Sequence, residues 1–222
     1  MCSKSGRGDP KKTDAENLTE SEKIQMYKGF LKRLFDLFFA CVILIVALPV
    51  FLVIAVAIKL DSKGPVIFSQ RRLCREGKEF NMYKFRSMVV DAEKGGVYSD
   101  HADPRVTRVG KILRKTSLDE LPQCINIIKG EMSFVGFRPP LTYHPWPFAS
   151  YTQEQKRMFA VRPGITGWAQ VNGRKTVEWH KRIELNVWYA EHVSFLLDCK
   201  IVLLTIRKVL LGVDNENIGA SV

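Results

Sequence analysis

The sequence predicts a mainly helical α/β fold with a small β-hairpin: a re-entrant membrane helix, then one compact cytoplasmic domain with interfacial amphipathic helices. Three observations predict it. An uncharged apolar run, Leu37 to Ile58, is interrupted halfway by Pro49 and has basic residues at both ends. Two short extended stretches, Val66 to Gln70 and Glu79 to Arg86, flank the turn residues Glu76-Gly77-Lys78. Beyond them helical spacing dominates, and the last apolar helix carries charges within it.

In chain order, the first twenty residues are rich in Lys, Ser, Gly and Asp and read as a disordered tail. They are not a signal peptide: the apolar run is too long and no small-residue cleavage pattern follows it. Thr19 followed by Glu22 has capping-box spacing and opens the first helix, on which Phe30, Leu31, Leu34, Phe35 and Phe38 recur among basic residues. The run from Leu37 to Ile58 holds 22 residues, which at about 1.5 Å each would just cross a hydrocarbon core of roughly 30 Å. Pro49 removes a backbone hydrogen bond in its middle. Lys28, Lys32 and Arg33 precede the run, and Lys59, Lys63, Arg71 and Arg72 follow it. Basic residues favour the cytoplasmic side. A helix broken at Pro49 that returns through the same leaflet satisfies length, proline and charge together; a spanning helix with a tolerated proline is the alternative.

After the hairpin, Val106 to Lys115 reads as a basic helix and Glu120 to Lys129 as a second, ended by Gly130. Met132 to Gly173 is dense in Gly, Pro and aromatics and reads as loop, with a short helix near Gln153 to Phe159. Trp179 to Ala190 is helical, and Leu196 to Leu211 lies on the membrane or packs on the domain. The expected organisation is a tail over 1–20, the membrane helix-break-helix over 21–62, a catalytic domain over 63–212 and a tail over 213–222.

A net charge of +11 suits anionic partners: phospholipid, nucleic acid or a phosphorylated substrate. Nucleic acid is disfavoured, because the basic residues are dispersed and no recognition motif appears. Five scattered cysteines fit neither a disulfide framework nor a zinc site, which points to a reducing compartment.

The chemistry concentrates in Thr116-Ser117-Leu118-Asp119-Glu120-Leu121-Pro122-Gln123. The plain reading makes Asp119 a helix N-cap and Glu120 an offset to the helix dipole. The company argues for more. Gly136 to Pro140 and Val161 to Gly167 are Gly/Pro loops that each present one arginine, an arrangement suited to clamping phosphate. A carboxylate can approach a diphosphate only where cations offset the charge.

Lys84 to Met88, Thr116 to Gln123, Gly130 to Gly136, Arg162 to Gly167 and Gln170 to Arg174 stand in an order and spacing that resembles the monotopic phosphoglycosyltransferases, the bacterial sugar transferase family. The likeness covers roughly Tyr27 to Leu211. It implies transfer of a sugar 1-phosphate from a UDP-sugar, N-acetylated by mild preference, to undecaprenyl phosphate with release of UMP. It implies Mg²⁺ and an active site on the cytoplasmic face of the bacterial inner membrane. By the same resemblance Asp119 is the nucleophile that becomes phosphosugar-linked, and Glu120 supports geometry, metal or proton handling. Both would be metal ligands, while Lys84, Arg86, Arg138, Arg162 and Arg174 would contact substrate. Expected partners are the UDP-sugar, undecaprenyl phosphate and membrane lipid, with a homodimer left open. Two departures stand out: Phe137 where the family has proline, which weakens the case for a rigid loop, and Asn186 where many members have aspartate, so Asn186 receives no catalytic role. Tyr143 to Trp146 either helps choose the sugar or packs its loop. His101, His180 and His192 read as packing or surface residues. A non-catalytic adaptor for anionic lipid or nucleic acid, and a Mg²⁺-dependent nucleotide-sugar hydrolase, are the competing readings.

Overall fold

The computed structural model describes residues 26–96, 103–172 and 178–211. The expected tails and the Thr19–Glu22 capping box lie outside them. The described chain is mostly helical with two small sheets. A π-turn, Tyr27–Leu31, leads into α1 (Lys32–Val46), which is followed after Ala47 by α2 (Leu48–Asp61). The two segments bend by 61°, and among the described residues no single helix is long and apolar enough to cross a membrane. The break centres on Ala47, two residues before the proline. Pro49 sits in the first turn of α2, where its missing N–H costs little, and its ring clears the carbonyl four residues back only if α1 has already ended.

One face of this bent pair packs on the domain. Ala40 is fully buried beside Phe80, Met82, Cys124 and Ile127, and Ile54 and Ile58 pack with Phe85 and Leu113. Charged side chains fasten both ends. Arg33 donates to the carbonyls of Ile127 and Ile128 at 2.5 and 3.0 Å, while Arg86 donates to those of Ser62 and Lys63, each at 2.7 Å. The other face, including Phe38, Ile45, Leu52 and Val56, is exposed and apolar.

The predicted hairpin is present: β1 (Ile67–Leu73) pairs antiparallel with β2 (Glu79–Phe85), turning at Glu76 and Gly77, both with positive φ. Alternation along β2 buries Phe80 and Met82. Next come α3 (Arg108–Thr116) and α4 (Gln123–Lys129), which Gly130 ends in a left-handed conformation. Buried Asn126 joins α4 to β2, accepting from the Tyr83 amide at 3.0 Å and donating to the Asn81 carbonyl at 2.7 Å.

The expected loop from Met132 to Gly173 holds more order than its composition suggests. β3 (Ser133–Val135) and β4 (Gly164–Thr166) form a parallel pair, with α5 (Gln153–Lys156) between them and α6 (Trp168–Val171) after. Glycine makes this crossing possible: a Cβ on Gly136 would stand 2.2 Å from the Arg162 carbonyl oxygen. The chain ends in α7 (Trp179–His192) and α8 (Phe195–Leu211). The last helix packs on the domain through Asp198 and Ile201, while Leu196, Leu203, Ile206 and Leu210 are exposed.

Candidate active site

Thr107 caps α3 by accepting from the Gly110 amide, and Ser117 ends the helix in a left-handed conformation that throws the chain into a 3₁₀ turn, Leu118–Glu120. Asp119 and Glu120 therefore sit in a tight turn before α4. This corrects the N-cap reading: the Asp119 side chain caps nothing, and Pro122 is the residue that precedes α4. Asp119 is 8% exposed. Pro122 fixes the path into α4, and Asn126 anchors α4 to β2, so the turn is held against the hairpin.

Cations converge from three elements. Lys84, from β2, places Nζ 2.9 Å from Glu120 Oε1 and 3.9 Å from Asp119 Oδ2. Arg138, from the Gly/Pro loop, reaches the same Glu120 oxygen with Nη1 and Nη2 at 3.3 and 3.4 Å. Arg114 of α3 lies close enough to act on the charge of Asp119. Glu120 thus takes the short contacts and fixes the cations, while Asp119 is held with a looser partner. Burial drives the Asp119 carboxyl above the usual carboxylate range, with Glu120 adding to the rise and Lys84, Arg114 and Arg138 opposing it.

Sequence reasoning missed Arg114 and Arg72. Arg72 donates to the Pro139 carbonyl at 3.0 Å and to Gln70 at 2.6 Å, bracing the loop that carries Arg138. Burial, with Arg138 alongside, pushes the Arg72 guanidinium down to about 9. Strand alternation was the available signal: Arg71 points out to Glu79 at 2.7 Å, so Arg72 must point the other way. Conversely, Arg86 and Arg162 are not brought to the acid pair. Arg86 is buried against the end of α2, and Arg162 donates to the Gly130 carbonyl at 2.9 Å. Arg174 and His101 lie outside the described residues.

Phe137 answers the first departure. Its ring is fully buried and meets Phe159 edge-on at 5.1 Å, and its carbonyl accepts from Gly164 at 2.8 Å. Packing thus holds the loop where proline would stiffen it. Phe137→Leu should cost roughly 1–2 kcal/mol and lower the melting temperature by about 2–8 °C; an unchanged melt would show that the loop does not depend on this ring. In the Tyr143 to Trp146 stretch, His144 packs on Trp179, Trp146 packs on Tyr151 and His180, and Tyr143 is exposed.

A group of three or more metal-ligating side chains is absent among the described residues. Two adjacent carboxylates nevertheless fit Mg²⁺, which keeps waters and takes substrate phosphate oxygens rather than an all-protein cage.

A family model described as bacterial sugar transferase matches residues 27–212. An uncharacterized sugar transferase of Bacillus subtilis (strain 168), EpsL, is 45% identical over 191 residues, 84% of this chain and 92% of that protein. A UDP-glucose:undecaprenyl-phosphate glucose-1-phosphate transferase of Escherichia coli (strain K12) is 45% identical over 184 residues, 80% of this chain and 40% of that protein. A UDP-N-acetylgalactosamine-undecaprenyl-phosphate N-acetylgalactosaminephosphotransferase of Aeromonas hydrophila is 40% identical over 188 residues, 83% and 44% respectively. The chain spans less than half the length of these last two.

Proposed function

The chain belongs to the bacterial sugar transferase family, and from that premise we propose that it moves a sugar 1-phosphate from a UDP-sugar to undecaprenyl phosphate at the cytoplasmic face of a bacterial inner membrane. The observation that carries the reading is a buried Asp119 beside a Glu120 whose carboxylate gathers Lys84 and Arg138. Such a site can hold a diphosphate against a carboxylate oxygen.

Asp119 attacks the β-phosphorus of the donor. The bond from that phosphorus to the bridging oxygen breaks, and UMP leaves with the oxygen. A phosphate oxygen of the lipid then attacks the same phosphorus, the aspartyl bond breaks, and the sugar departs on a polyprenyl diphosphate. Lys84 and Arg138 offset the charge that develops on the transferred phosphoryl oxygens. Asp119 and Glu120 would hold Mg²⁺, which when bound supplies charge neutralisation at the diphosphate. The donor proposed is a UDP-linked N-acetylhexosamine.

Incubating the protein with donor and Mg²⁺ should yield a phosphosugar adduct, and UMP turnover should require polyprenyl phosphate. Equal UMP release without the lipid would identify a hydrolase, and neither adduct nor UMP with any UDP-sugar would leave the adaptor reading.

The exposed apolar face of α1 and α2 supports a membrane-inserted hairpin, since a patch of this extent needs a cover. Both of its ends are fastened to one domain, through Arg33 at the start and Arg86 at the finish, which favours return to the same side over spanning. Cysteines placed before Lys28 and after Lys63 should both resist an impermeant thiol reagent in intact cells. Labelling of one end alone would establish a spanning helix.

A further inference from the structure

A cavity of about 230 Å³ opens beside the acid pair, and it is walled by elements far apart in sequence. Ser117 and Glu120 line it from the catalytic turn, Ile43 from α1, Ile165 from β4, and Lys208 and Val209 from α8. We propose that this cavity seats the phosphate end of the polyprenyl acceptor, its phosphate facing Lys208 and its first isoprene unit lying against Ile43, Ile165 and Val209. The inference rests on the transferase reading above and deepens it by naming where the second substrate binds.

The cavity is too small to enclose a whole nucleotide sugar. Pockets for drug-sized ligands run from roughly 300 Å³ upward, and a nucleoside diphosphate sugar is larger still. A cavity of about 150 Å³ takes one benzene, so this one has room for a phosphate and about one isoprene unit. Chemistry agrees. Most of the lining surface is apolar, with Ser117, Glu120, Thr166, Gln170, Thr205 and Lys208 as its polar members, and would leave most of the hydroxyls and the polar base of a UDP-sugar unpaired. A polyprenyl phosphate offers one anion and a branched hydrocarbon, matching the single cation of the lining, Lys208, and its mostly apolar surface.

Position agrees as well. Ile43 lies one helical turn before the bend at Ala47, next to the exposed apolar residues Val42, Ile45 and Val46. On the opposite wall, Ile206 and Leu210 flank the cavity's α8 residues and are exposed too. The remainder of a long prenyl chain would leave along these residues into the bilayer that covers them. Gln170, also in the lining, is buried and donates through Nε2 to the Ile165 carbonyl at 3.0 Å, which ties α6 to β4. Thr205, a further lining residue on α8, shares a 2.7 Å hydrogen bond with Thr166 of β4, so the wall is fixed to the sheet beside Gly167 and α6.

The test uses the full chain in nanodiscs and a short prenyl phosphate carrying a diazirine at its first isoprene unit. Irradiation should capture peptides containing residues 205–209 or Ile43, and undecaprenyl phosphate should compete while excess phosphatidylglycerol should not. Lys208→Gln should raise the KM for polyprenyl phosphate about tenfold and weaken capture, with the rate of adduct formation from the donor unchanged. Val209→Trp should block capture by filling the cavity; Lys208, being half-exposed, gives a variant that does not burden the core. Equal competition by phosphatidylglycerol would assign the cavity to bulk lipid, and capture that maps elsewhere or ignores both variants would overturn the proposal. Capture needs no donor and can be read in Asp119→Asn. An absent adduct therefore tells against the catalytic reading, whereas normal adduct without capture here tells against this inference alone.

Discussion

Asp119→Asn is expected to lower transfer to polyprenyl phosphate by at least about 10³-fold, the scale on which loss of a covalent nucleophile is felt, and to abolish the phosphosugar adduct. The fold should survive, because the substitution removes a charge from a site that penalises it. Burial holds the Asp119 carboxyl above the usual range, so the folded chain binds this proton more tightly than the unfolded chain does. Its contribution to stability is then greatest at low pH and declines as pH rises from the ordinary value of about 3.9 through the raised one. For metal-free protein in a chelator, the asparagine variant should melt at or above the native temperature at pH 7, with the gap closing on acidification toward pH ~4. A variant that melts well below native at pH 7 would mean that the carboxylate supports the fold, and that lost activity reports unfolding. A nucleophile site that costs stability in this way is the usual mark of function traded against the fold.

How much of this was legible follows the range of the interactions involved. The hairpin could be read because alternation and a Gly77 turn are local, and β2 indeed buries Phe80 and Met82. The parallel pair β3–β4 could not: each strand has three residues, too few for periodicity, and the pairing joins Ser133 to Gly164 across a stretch that reads as loop. Its glycines were visible as loop residues, but only the crossing shows that Gly136 admits no Cβ. The acid pair was legible as a motif, yet its local geometry was not, because Ser117 adopts a left-handed conformation that non-glycine residues rarely take. Among the cations, Lys84 and Arg138, expected to contact substrate, lie against Glu120. Arg86 instead satisfies carbonyls at the end of α2, and Arg72, read only as one of the basic residues that follow the apolar run, turns inward to brace the Arg138 loop. Spacing shows where a charge lies along the chain; which open helix end or carbonyl will claim it depends on the tertiary fold.

Asp198→Ala should be the most destabilising change outside the site, by about 3–5 kcal/mol, and should lower the melting temperature by roughly 6–20 °C. Asp198 is buried near the start of α8 and gathers three donors: the hydroxyls of Tyr27 and Tyr189, both at 2.7 Å, and the ammonium of Lys32. Alanine would leave the Tyr27 hydroxyl without this acceptor and the Tyr189 hydroxyl with only the Val135 carbonyl at 3.2 Å, and the Lys32 side chain, only 12% exposed, would lose its paired carboxylate and keep only the nearby charge of Asp36. The cost should be specific to the broken pairing. Adding Lys32→Met to Asp198→Ala should restore part of the lost stability, since removing both charges is cheaper than stranding one. Purely additive losses in that double-mutant cycle would refute the coupling. The effect should also reach the substrate. Asp198 ties α8 to the start of the bent helix pair α1–α2, and α8 supplies one wall of the cavity beside Glu120. In a variant still folded at the assay temperature, the KM for polyprenyl phosphate should therefore rise more than the KM for the UDP-sugar, because the loosened helix borders the cavity proposed for the acceptor and not Lys84 and Arg138, the cations proposed to hold the diphosphate.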